Sequence, residues 1–146
     1  MFAPELTDRL ATVLRELGSE RAWVVHAEDG LDEISTLGPT RVSELRDGHV
    51  RTWLLDPRTL GLPYARLSDL QVETPDQAAE ALRVVLSGDE GPRRDIAVLN
   101  AAAALVIAGK SPDLPHGLAL AAQTLEDGLA KRTLEALIRC SNELGQ

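Results

Sequence analysis

Apolar residues near the start of the chain recur at Leu6, Leu10, Val13, Leu14 and Leu17, a spacing that lays one face of a helix over residues 4–17. Pro4 suits the first turn of that helix and Gly18 its stop. The pattern then changes. Ala22 to Val25 form a run too apolar to alternate, which predicts a strand over 21–26 covered on both faces. A helix feeding a buried strand is half of a βαβ unit. Farther on, Asp47-Gly48 separates Thr40 to Arg46 from His49 to Leu55, two runs rich in Val, Thr, Trp and Leu, and this is a hairpin signal. Between Asp56 and Thr74, proline, glycine and short apolar pieces predict an irregular connection with one helical turn near Leu67 to Leu70.

The rest of the chain reads as helix. Thr74, Pro75 and Gln77 supply a cap, a first-turn proline and the amide of a capping box, and Gly88 closes a helix carrying Ala78, Leu82, Val85 and Leu86. Gly91 and Pro92 open a second helix that stops at Gly109, a third runs from near Ser111 to Gly128, and a fourth from about Leu129 to Leu144. Between Ile96 and Ala108 the second helix is apolar all round apart from Asn100, a pattern that predicts burial on every side. If the other three helices do not enclose it, another surface must. The predicted fold is therefore α/β: a small mixed sheet, one buried strand plus a hairpin, flanked by an N-terminal helix and followed by a helical C-terminal half. Residues 1–146 form one unit, with helix, strand, acidic loop and hairpin in 1–74 and helices in 75–146.

Composition narrows the function classes. With aromatics at 3%, the core has to be built from Leu, Val and Ala, and a formal charge of −8 excludes the basic footprint that nucleic acid or an anionic membrane surface requires. The single cysteine, Cys140, lies in helical sequence among Leu137, Ile138 and Leu144 and is expected to be a small buried hydrophobe in a reducing compartment. Met1 leads straight into the amphipathic pattern without a basic start or an apolar run, and the longest apolar stretch is too short to span a bilayer, so the protein is read as cytoplasmic.

The clearest chemistry follows the first strand, where Glu28, Asp29, Asp32 and Glu33 surround Gly30. Carboxylates delivered into a loop at the C-terminal end of a strand stand where open α/β sheets place ligands. Asp32 and Glu33, adjacent in a loop, are candidate ligands for Mg²⁺, an ion commonly held by one or two carboxylates together with water and substrate phosphates. Composition alone favours the plainer alternative, a solvated turn in an acidic protein. One Cys and three widely spread His exclude a zinc cluster. His26, at the end of the strand, reads as structural, and His49 and His116 as surface residues. Arg93 and Arg94, at a helix start where cations oppose the dipole, are expected to be structurally paired. No P-loop, G-x-G-x-x-G or G-x-S-x-G occurs.

The segment R-A-W-V-V-H-A-E-D-G-L-D-E-I-S-T-L-G-P-T, with the later S-E-L-R-D-G, L-D-P, L-G-L-P and G-P-R-R-D-I-A-V-L-N-A-A-A-A-L, resembles the C-terminal part of the anthranilate phosphoribosyltransferases, essentially end to end. The resemblance implies that Asp32 and Glu33 hold Mg²⁺ serving phosphoribosyl pyrophosphate. It also implies transfer of phosphoribosyl from that donor to anthranilate in tryptophan biosynthesis. The family's glycine-rich donor loop, its lysine-containing loop and its anthranilate contacts lie upstream of the matched stretch. The chain is accordingly expected to be inactive alone, with no catalytic residue of its own assigned: a catalytic-domain segment, one subunit of a split enzyme, or a remnant serving as an interaction module. Its apolar helix surface is expected to be covered in a homo-oligomer or by a partner chain. The family usually has glycine at the position of Ala27, so a positive φ there would strain this loop.

Overall fold

The computed structural model of the chain describes residues 3–144. A 3₁₀ turn at Pro4–Leu6 runs into helix α1 (Thr7–Glu16), followed by strands β1 (Arg21–Ala27), β2 (Thr40–Arg46) and β3 (His49–Leu55). The strands form one sheet in the order β1-β2-β3. β1 pairs with β2 from Arg21↔Arg46 to Ala27↔Thr40, and β2 pairs with β3 from Thr40↔Leu55 to Arg46↔His49. The hairpin turns where the sequence places it, because Asp47 (φ 51) and Gly48 (φ 75) both take the positive φ that a two-residue turn of matching twist demands.

The α/β class is as expected, but the sheet differs in two respects. Both pairings are antiparallel rather than mixed, since the loop of residues 28–39 folds β2 straight back along β1, whereas a parallel partner needs a crossover. No βαβ unit forms among the described residues. The buried strand is β2, not β1: Val42 to Leu45 are all buried, while in β1 Arg21 is exposed, Ala22 to His26 are half-buried and Ala27 alone is buried. β2 has a hydrogen-bonded neighbour on each edge and β1 has a described neighbour on one.

α1 covers one face of the sheet. Its first residue, Thr7, is fully buried, and its hydroxyl accepts from Ser43 Oγ at 2.8 Å and Arg41 Nε at 3.1 Å while donating to Pro4 O. The other face meets the helical half, which comprises α2 (Leu67–Leu70), α3 (Pro75–Leu86), α4 (Pro92–Ile107), α5 (Leu114–Glu126) and α6 (Leu129–Leu144). Here Ile34, Val42 and Leu55 form one core with Leu99, Ala102, Ala103 and Val106 of α4 and Leu114 of α5. Trp23 and Trp53 close it as an edge-to-face pair with centroids 5.6 Å apart. α4 and α5 approach closely because Gly117 has no side chain: a Cβ there would stand 2.9 Å from Ala102 O.

α4 is not buried on every side. Ala97, Ala101, Ala104 and Ala108 remain exposed along an open apolar groove of ≈ 550 Å³, to which Leu82, Val85 and Leu86 of α3 contribute. The reason lies in its neighbours. α3 has no buried residue, and no described side chain of α6 is buried; α3 lies against α4 and α6 against α5 and α3, and neither encloses α4. Cys140, expected inside, is exposed on α6 for the same reason. Among the described residues no helix is long and apolar enough to cross a membrane.

Candidate functional site

The loop from Glu28 to Pro39 leaves β1 at Ala27 and re-enters the sheet at Thr40, and Glu28 N donates to Pro39 O at 3.0 Å to close its neck. Its two halves are held differently. In the first, Gly30 N donates to Ala27 O at 3.0 Å and Leu31 N to Asp29 Oδ1 at 3.0 Å, both contacts within the loop's own turn. The second half is tied to the body of the fold. Ser35 N donates to Thr40 Oγ1 at 3.0 Å and Ala65 N to Thr36 O at 2.9 Å, while Leu37 N closes a turn within the loop onto Ser35 Oγ at 2.9 Å. Ile34 N donates to Asn100 Oδ1 at 3.0 Å, and Asn100 Nδ2 donates back to Ile34 O at 2.8 Å. Ile34, Ser35 and Thr36 are correspondingly buried.

Asp32 and Glu33 stand immediately before this anchored half, and both are exposed. Of the four loop carboxylates, that of Asp29 already caps the Leu31 amide. Neither Asp32 nor Glu33 forms an ion pair among the described residues. The Glu33 carboxyl is pushed above its ordinary range, first by partial desolvation and then by the negative charge of Asp32. Two like charges without a counter-charge are a donor set that a hard cation would neutralise. No group of three or more His, Cys, Asp or Glu capable of holding a metal occurs among the described residues. Such a pair fits Mg²⁺ with its remaining positions left to water and phosphate oxygens, and does not fit an all-protein cage.

The other candidates fall into place as structure. His26 pairs across the ladder with Arg41, and His49 and His116 are exposed. Arg93 Nη2 donates to Gln71 O at 2.8 Å, and Arg94 lies 3.5 Å from Glu126. The strain expected at Ala27 is absent: it is a strand residue, Asp47 is the one described non-glycine residue with positive φ, and the Ala27 methyl is fully buried. Asn100, which in the sequence only interrupts an apolar run, makes two hydrogen bonds to the loop at Ile34 and a third to Ile96 O of its own helix. The signal available was a lone amide inside an otherwise apolar stretch, since a half-buried polar side chain needs partners.

Residues 1–131 match the glycosyl transferase family, a/b domain. The chain belongs to this family. Among its curated relatives, the anthranilate phosphoribosyltransferase of Rhodospirillum rubrum is 54% identical over 138 residues, covering 94% of this chain and 40% of that protein. That of Methylobacterium nodulans is 51% identical over 142 residues, covering 97% of this chain and 42% of the relative. The chain thus spans well under half the length of these relatives and matches their C-terminal part. Similar solved structures include anthranilate phosphoribosyltransferase from Thermus thermophilus (TM-score 0.82, 39% identity, 92% of this chain and 40% of that one). The Saccharomyces cerevisiae enzyme in complex with PRPP and Mg is similar with a TM-score of 0.81 at 27% identity, over 92% of this chain and 39% of that one.

Proposed function

We propose that this chain is the C-terminal segment of an anthranilate phosphoribosyltransferase, that Asp32 and Glu33 are its magnesium ligands, and that it works in the cytoplasm. In the whole reaction the bond from ribose C1 to the pyrophosphate oxygen breaks, a bond from C1 to the anthranilate nitrogen forms, pyrophosphate leaves and the amine gives up a proton. The observation that carries the reading is the paired, uncompensated carboxylates at the junction of a free and an anchored half-loop, in a chain similar to anthranilate phosphoribosyltransferases over nearly its whole length. When bound, Mg²⁺ would supply electrostatic stabilisation to the departing pyrophosphate. The chain's own contribution is to hold two carboxylates side by side in water-accessible positions and to fix the backbone that follows them.

Calorimetric titration of Mg²⁺ in the presence of phosphoribosyl pyrophosphate tests this reading. Wild-type chain is expected to take up the ion, and the Asp32→Asn, Glu33→Gln double variant to lose at least about tenfold in affinity, since two carboxylate ligands are removed together. Equal affinity in the two proteins would remove the assignment.

A further inference from the structure

We propose that Asn100 is a positioning residue for the metal ligands: its carboxamide fixes the backbone directly after Asp32 and Glu33 and so holds the two carboxylates as a pair. The inference rests on the reading of Asp32 and Glu33 as metal ligands and extends it to a residue on another element, distant in sequence.

Asn100 lies in the middle of α4, with Leu99 on one side fully buried. Its Oδ1 accepts from Ile34 N at 3.0 Å, and its Nδ2 donates to Ile34 O at 2.8 Å and to Ile96 O, one helical turn back, at 2.9 Å. A carboxamide can accept twice and donate twice, so three of its four capacities are in use and its orientation is fixed. Ile34 is the residue after Glu33, and the two-point contact pins both its N–H and its C=O. The N–H of Ile34 belongs to the peptide unit that begins at Glu33, so the same contact also fixes the plane of the Glu33 carbonyl.

The remaining anchors lie farther along the chain, at Ser35 and Thr36. On the other side, Leu31 is held only by the turn it makes with Asp29. Asn100 is therefore the first contact from outside the loop that the chain meets after the carboxylates. Its identity suits no other evident purpose in α4: a leucine of similar volume would serve an apolar helix at least as well, whereas a half-satisfied amide would destabilise it. A cation held by two adjacent side chains gains from having their backbone already ordered, because less freedom is lost on binding.

The test uses the chain as it exists, with Mn²⁺ alone as a paramagnetic hard-cation probe followed by electron paramagnetic resonance, and with amide exchange at Ile34 as a metal-free readout. Asn100→Leu keeps the volume and removes all three hydrogen bonds, and Asn100→Ala is a second variant. Leu45→Ala serves as a control that removes a buried core side chain outside the cluster holding Ile34. The proposal expects at least about tenfold weaker Mn²⁺ binding in folded Asn100→Leu or Asn100→Ala, faster exchange at Ile34, and affinity unchanged in Leu45→Ala despite its lower melting temperature. Folded Asn100 variants with wild-type affinity would overturn it, as would an equal loss in the Leu45→Ala control. The Asp32→Asn, Glu33→Gln variant separates the two claims. If its Mn²⁺ affinity equals that of wild type, the metal reading fails and takes the role of Asn100 with it. If its affinity falls and the Asn100 variants bind normally, only the positioning role is lost.

Discussion

Gly117 is where a single atom decides how closely two helices meet. A Cβ at this position would approach Ala102 O to 2.9 Å and Ala102 Cα to 3.2 Å, both backbone atoms of α4 that cannot swing aside. Gly117→Ala improves helix propensity by about 1 kcal/mol, yet the forced separation of α4 and α5 costs about 1–3 kcal/mol. Urea unfolding is expected to show net destabilisation, and a more stable variant would contradict this close contact. Asp113 offers a second residue-scale test. Its carboxyl, which accepts from the backbone N–H and the imidazole of His116, is held below the ordinary carboxylate range. Because the folded pKa is the lower one, the group contributes stability above the unfolded pKa, and this is lost as pH falls through the folded pKa. Thermal melts of Asp113→Asn against wild type are expected to differ near neutral pH and to converge in acid. A gap that persists at low pH would contradict the linkage.

At the scale of elements, the helical half divides into a tight pair and a loose one. α4 and α5 contribute buried residues to the core, whereas α3 has none and α6 has none among its described side chains, with Leu137 and Ile138 more exposed than covered. Local opening follows local burial. Hydrogen exchange is therefore expected to be slowest in β2 and α4 and at least about a hundredfold faster in α3 and α6, and uniform protection across the helices would contradict this division. The same division explains what was legible in the sequence. Local signals worked where chemistry is local: Asp47-Gly48 for the turn, Thr74-Pro75 for a helix start, and the period of Leu6 to Leu14 for α1. They failed where the answer depends on a neighbour. The apolar run Ala22 to Val25 reads the same whether its strand is central or at an edge, and the burial of Cys140 depended on contacts that α6 does not make. Asp32 and Glu33 could be nominated from their own stretch, but the clamp beneath them could not, because Asn100 is 66 residues from Ile34.

For the whole molecule, a three-stranded antiparallel sheet sits between α1 and the α4–α5 pair, and the acidic loop emerges at the end of β1 with its second half fastened to α4. The Asp32–Glu33 carboxylate pair thus rests on the best-packed part of the molecule while its side chains stay in water. That arrangement suits a ledge for a metal and a phosphorylated donor, and the chain, spanning 42% of the Methylobacterium nodulans relative, would supply only part of the pocket around it. The chain by itself is accordingly expected to form no phosphoribosyl anthranilate. The most direct measurement of the central claim replaces the matching segment of the Rhodospirillum rubrum enzyme with residues 1–131 and assays Mg²⁺-dependent formation of phosphoribosyl anthranilate, with and without Asp32→Asn and Glu33→Gln. The expected result is an active chimera whose double variant loses at least about a hundredfold in kcat/KM, or about 2.7 kcal/mol of transition-state stabilisation. A double variant that turns over at the rate of the unmodified chimera would contradict the account.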